Sequence, residues 1–90
     1  MSFSNVVITG RLVDDPDKDG YRHIECPSID IFKDKDDTVL IPIRYWNQAG
    51  KNTLNAYQKG SSIIIKGRFS KGEKYPIYVL VEKIETIIIQ

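Results

Sequence analysis

Alternation of apolar and polar residues runs through most of this chain and stops once, between Asn47 and Lys59. In an extended chain successive side chains point to opposite faces, so a period of two marks a strand buried on one side. Where the alternation stops, Gly50, Leu54 and Tyr57 recur at helical spacing, and Gly60 follows as an expected helix C-cap. A chain with one short helix among extended runs has few folds open to it.

Asn5 to Val13 reads as a strand, with Val6, Ile8 and Leu12 on one face and Val7, Thr9 and Arg11 on the other. The run from Asp14 to Gly20 is dense in turn formers and makes a loop or hairpin end. Tyr21 to Phe32 is a second extended run, with Ile29 and Ile31 on one face; Pro27 inside it marks a bulge or an edge. A second polar loop spans Lys33 to Asp37, and Thr38 to Trp46 is the third strand. After the helix, Ser62 to Phe69 forms a fourth strand. There Ile63, Ile65 and Phe69 face one way with Gly67 between them, and Ile64, Lys66 and Arg68 face the other. Ser70 to Lys74 is a basic hairpin tip, and Tyr75 to Ile89 is a long fifth strand bent near Lys83. Tyr21 and Tyr78 read as ordinary strand aromatics, and Tyr57 as a helix residue packed on the sheet. Three strands, a helix and two strands is the order of the OB-fold, an all-β, five-stranded, partly open Greek-key barrel with the helix between strands three and four. Ligands of that fold lie across the second and third strands, and they include oligonucleotides, oligosaccharides and proteins.

The length, 90 residues, suits one domain over residues 1–90, with a core small enough to gain from oligomerisation. No apolar run approaches the length of a membrane span. The first residues lack a basic stretch followed by an apolar one, so no signal peptide is expected. The single Cys26 cannot form an internal disulfide, which suits a cytoplasmic location. An enzyme is not expected. The chain has one histidine, His23, and no visible carboxylate pair, metal-ligand cluster or nucleophile–base set. No metal or other cofactor is implied.

The net charge is only +1, but its distribution is uneven. Residues 1–40 carry five basic and nine acidic side chains, and residues 41–90 carry eight basic and three acidic ones. Between Arg44 and Lys74 lie Lys51, Lys59, Lys66, Arg68 and Lys71, against Glu73 alone. Such asymmetry suits one side that faces a polyanion. In the third strand, Val39, Ile41, Ile43 and Tyr45 share an apolar face, while Leu40, Pro42, Arg44 and Trp46 share the other. The only tryptophan of the chain therefore stands beside a guanidinium, as a platform on which an unpaired base can stack while the cation holds the next phosphate. The competing reading makes Trp46 a lid on the end of the core.

These residues resemble the bacterial single-stranded DNA-binding proteins. Asn5 to Pro16 is similar to the first strand of that family, an apolar run with Gly-x-Leu and then Asp-Pro; Ile41 to Trp46 is similar to the third. The stretch from Trp46 to the Lys59-Gly60 pair has the length of its helical segment, and Ile63 to Phe69 is similar to its fourth strand. The resemblance places Trp46 at a DNA-stacking position. It leaves Leu40 where many members have another tryptophan, so one platform is missing there, and for the further tryptophan of the loop after the second strand Phe32 is a substitute platform. Arg44, Lys66, Arg68, Lys71 and Lys74 are the implied phosphate contacts, and Tyr75 an implied stacking aid. The implied function is sequence-tolerant binding of single-stranded DNA, or RNA, in replication, recombination or repair, by a homodimer or homotetramer. Contacts with replication proteins stay open, because the chain ends at Gln90 without the acidic, Phe-ending tip that recruits them in the family. Two alternatives stand beside this reading. One is a module like the primosomal replication protein, bridging proteins and DNA. The other is a protein-interaction OB module that uses the acidic loops around Asp15 and Asp36.

Overall fold

A computed structural model of the chain describes residues 5–30 and 35–87, with the side chains of 28–30 and 35–37 left aside. Its elements follow the expected order: β1 (Val6–Leu12), β2 (Arg22–Asp30), β3 (Lys35–Tyr45), α1 (Gln48–Ala56), β4 (Ser62–Ser70) and β5 (Tyr78–Thr86). The strands close into a barrel in the order β1-β2-β3-β5-β4. This is an all-β OB-fold with its helix between β3 and β4. Every pairing is antiparallel except β3 with β5, and that parallel seam covers only Ile43↔Val79, Arg44↔Leu80 and Tyr45↔Val81. The β1–β2 joint is shorter still, Arg11↔Glu25 and Leu12↔Ile24.

The alternation seen in the sequence builds the core. Leu12, Ile24, Ile43, Leu54, Ile63, Ile65, Val79 and Val81 are fully buried together, with Val6, Ile8, Ile41, Tyr45 and Tyr57 packed around them. Cys26 also packs there, and burial pushes its thiol above the ordinary value, away from the reactive thiolate.

Among the described residues, one buried side chain breaks the apolar rule. Arg22 has no exposed surface. Its Nε and Nη2 donate to Asp14 O at 3.1 and 2.6 Å, and Nη1 donates to Leu54 O and Tyr57 O, both at 2.7 Å. Burial lowers its pKa, offset in part by the Asp14 and Asp15 carboxylates. The last carbonyls of a helix lack intrahelical donors, and here a guanidinium from β2 supplies them. It thereby joins the first loop, the helix end and the barrel.

The helix is shorter than the spacing suggests. Asn47 caps it, its Oδ1 accepting the Gly50 N–H at 2.7 Å, but Tyr57 is already extended (ψ 130°). Gly60 is therefore not the helix cap. Its positive φ (96°) serves the next turn, closed by Ser61 N–H to Gln58 O at 3.1 Å, while its own N–H goes to Leu12 O at 2.7 Å. The amide that could have prolonged the helix is used to tie the chain back to β1.

Other boundaries move for reasons equally non-local. β2 ends at Asp30, and Ile31 and Phe32 lie outside the described residues. β3 starts at Lys35 rather than Thr38, because β2 and β3 pair without a break through Pro27↔Thr38 to Asp30↔Lys35. Pro27 is thus an edge residue and not a bulge, since β1 pairs with β2 only near Leu12. Val39, placed by its period in the core, is 45% exposed on this projecting arm. Phe69, placed by its period on the face of Ile63 and Ile65, is 58% exposed, near the end of β4 beyond the Val6↔Gly67 pair. β5 begins only at Tyr78, so Tyr75 to Ile77 belong to the loop. There Gly72 N–H donates to Tyr75 O and Pro76 offers no amide. The bend expected near Lys83 is a bulge: Gly67 faces Val81 and Lys66 faces Lys83, leaving Glu82 without a partner in the ladder.

Candidate functional site

Trp46 follows directly on β3 and is 59% exposed. What aims it outward is the residue before it. Tyr45 turns inward, packs on the core and donates its hydroxyl to Glu82 O at 3.0 Å, at the bulge. Its ring lies so close to Gly50 that a β-carbon there would sit 1.8 Å from Tyr45 Cδ1, so only glycine fits. With Tyr45 fixed between helix and bulge, the next side chain must face solvent.

Three hollows join into one groove around Trp46. The first, about 350 Å³, runs over Arg44, Trp46, Lys51, Tyr78 and Leu80. It shares Trp46 and Leu80 with a second, walled by Arg68 and Glu82. It shares Arg44 and Tyr78 with a third, which reaches Asp19, Tyr21 and the loop from Lys71 to Lys74. The parallel seam sets Leu80 beside Arg44, and β4 sets Arg68 opposite Leu80, so the groove crosses β3, β5 and β4.

The cations of the groove are not equivalent. Arg68 holds Glu82 through both Nε (3.0 Å) and Nη2 (3.2 Å), a two-toothed pair on the surface. Lys74 is paired with Asp17 of the first loop. Burial alone would push the Asp17 carboxyl up, but Lys74 and the N–H groups of Tyr21 and Asp19 together hold it below its ordinary value. The same contact with Asp17 raises the Lys74 ammonium. Among the described residues, Arg44, Lys51 and Lys71 have no ion pair.

One end of the groove has an aromatic floor. Tyr75 and Tyr78 both meet Tyr21 edge to face, at centroid distances of 5.0 and 5.2 Å, and Tyr75 also meets the His23 ring at 5.3 Å. The Arg44 guanidinium lies over the Tyr21 ring, 5.1 Å from its centroid. His23 Nδ1 is 2.7 Å from Asp14 Oδ2, which ties this floor to the first loop.

The structure thus brings together Trp46, Arg44, Arg68, Lys71, Lys74 and Tyr75 of the expected residues. Lys66 lies apart, in a separate small hollow with Ile64, Lys83 and Glu85. Phe32 lies outside the described residues. Lys51, Leu80 and Glu82 enter the site without having been singled out, and so do Tyr21 and Tyr78, which read as ordinary strand aromatics; Tyr21 lies just before β2 rather than in it. Only the uneven charge pointed to Lys51; the others depend on the β3–β5 seam and on loop contacts, which no local spacing encodes.

No protein-family model matches the sequence, and no curated protein matches it by sequence. Solved structures match it along almost its whole length. The mitochondrial single-stranded DNA-binding protein Rim1 of S. cerevisiae superposes with a TM-score of 0.74 at 19% identity, over 97% of each chain. The small single-stranded DNA-binding protein of Streptomyces coelicolor superposes with a TM-score of 0.72 at 12% identity, over 98% of this chain and 96% of that one. At these identities the likeness is one of fold, and the fold is the one the sequence resemblance implies.

Proposed function

We propose that this chain binds single-stranded DNA, and by the same chemistry RNA, with little regard to sequence. The observation that carries the reading is Trp46: a large aromatic face left in solvent on a groove bordered by Arg44, Lys51, Arg68, Lys71 and Lys74. Every base has a π-face, so a base can stack there whatever its identity, and the lysines and Arg68 take the phosphates on either side. The same fold in two single-stranded DNA-binding proteins supports the reading, as does the poor account that a core role gives of a tryptophan 59% exposed. A place in replication, recombination or repair is part of the same proposal.

Titration of Trp46 fluorescence with oligo-dT at several salt concentrations tests the proposal. Binding should quench the emission. With about three to five phosphates neutralised, log K should fall against log salt with a slope of about −2 to −4. Unchanged emission, or affinity indifferent to salt, would rule this mode out and favour a protein-binding module.

A dimer or tetramer belongs to the same proposal. Among the described residues β1 pairs with β2 only at Arg11 and Leu12, and Gly10 packs against Ile24 and Glu25, so Val6 to Thr9 present an edge on that side, where Val7 is 61% exposed. Light scattering at micromolar concentration should show more than one copy.

A further inference from the structure

We infer that Arg44 carries a second base-stacking subsite, in which its guanidinium plane rather than its charge is the contact, and that Tyr21 is the residue that positions it. This rests on the single-stranded reading above. A surface arginine that serves a phosphate turns its fork of donors to the anion and needs no ring under its plane. Arg44 is held differently. Its guanidinium lies over the Tyr21 ring, and that ring is itself fixed, 5% exposed and met edge to face by Tyr75 and Tyr78.

The place where it is held matters. Arg44 lines both the hollow that contains Trp46 and the hollow that contains Lys71 and Lys74, with Tyr78 shared between them. A base stacked on Trp46 therefore has a neighbour in the chain that must pass Arg44. A guanidinium offers a flat, weakly hydrated surface on which a base can stack, and an ammonium does not. Lys51 in the former hollow and Lys71 in the latter then stand on either side to meet the phosphates. The subsite would take any unpaired base.

Arg44→Lys separates plane from charge. Two ligands are compared by a competition assay in the same buffer: oligo-dT, and an abasic deoxyribose-phosphate chain of the same length. Melting curves confirm that the variant is folded. The variant should bind oligo-dT about fivefold or more weakly, the lower end of what one stacked base is worth, with an unchanged salt slope and unchanged affinity for the abasic chain. Wild-type affinity for oligo-dT in the variant, or an equal loss on both ligands, overturns the inference and makes Arg44 a phosphate contact. If Trp46→Ala loses oligo-dT affinity while Arg44→Lys does not, only this subsite fails. If the wild-type chain binds oligo-dT no better than the abasic chain, stacking fails altogether and the proposed function with it.

Discussion

Arg22 and Arg44 are close neighbours across the β2–β3 ladder, where Arg22 faces Ile43, yet they have opposite fates. Arg22 points into the barrel and has no exposed surface, its donors taken by carbonyls of the first loop and the helix end. Arg44 points outward and lies between two hollows. The side chain is the same, so its chemistry does not decide the role. What decides it is whether the surroundings leave carbonyls without donors. At the closed end of the barrel they do, and a buried cation completes them; on the open face they do not, and the cation is left for a ligand.

The contrast is sharpest if each arginine's region is broken in turn. Arg22→Met fills much of the same volume but leaves the carbonyls of Asp14 and Tyr57 without donors, and that of Leu54 with the Tyr57 N–H alone. It should cost about 3–5 kcal/mol in urea unfolding. A near-neutral result would mean that water reaches those carbonyls. On the open face the effect should move from stability to binding. Trp46→Ala should weaken oligo-dT binding by about 1–3 kcal/mol while changing unfolding by no more than about 1 kcal/mol, because the ring is already mostly exposed. The reverse pattern would return Trp46 to the core.

A smaller effect concerns the carboxylates that occupy the groove's cations. Glu82→Gln should release Arg68 next to Trp46, raise oligo-dT affinity severalfold and steepen the salt slope by about 0.7, one added phosphate contact. No change in slope would show that Arg68 lies off the path. The smallest effect belongs to the Asp17–Lys74 pair. Asp17 is held below its ordinary 3.8, so its contribution is complete above that value and is lost as pH falls through the lower folded one. Lys74 is raised above its ordinary 10.5, so its share is complete below that value and is lost as pH climbs through the higher folded one. Asp17→Asn should therefore lower the melting temperature slightly at neutral pH, and the difference from wild type should vanish in strong acid. A gap that persists there would point to the hydrogen bonds that Asp17 accepts from Tyr21 and Asp19.

How much of this could be read from the chain divides along the same line as the arginines. The alternation around Ile8, Ile43 and Ile63 is a local property, and it yielded the strands, the helix, the core face and the outward aim of Trp46. Phe69 has the same period and still ends exposed, beyond the Val6↔Gly67 pair of β1 and β4. Gly60 looks like a helix cap, but Leu12, far off in the chain, takes its amide. Tyr21, Tyr75 and Tyr78 come from two loops and a strand end, and only the closed barrel makes them one floor. Arg22 sits in an extended run like any surface cation; its burial is dictated by a helix end that the sequence places more than thirty residues away.

The parallel seam between β3 and β5 has a further consequence. It joins the barrel over three residues only, Ile43 to Tyr45 against Val79 to Val81. A joint so short can part with little loss, as can the still shorter one between β1 and β2, so amide protons along it should exchange with solvent through local opening rather than full unfolding. Trp46 stands on one lip of that joint, with Leu80 and Arg68 on the other. A strand of nucleic acid lying across both lips would act as a latch, and the slowing of exchange at Arg44 and Tyr45 would measure how firmly it closes.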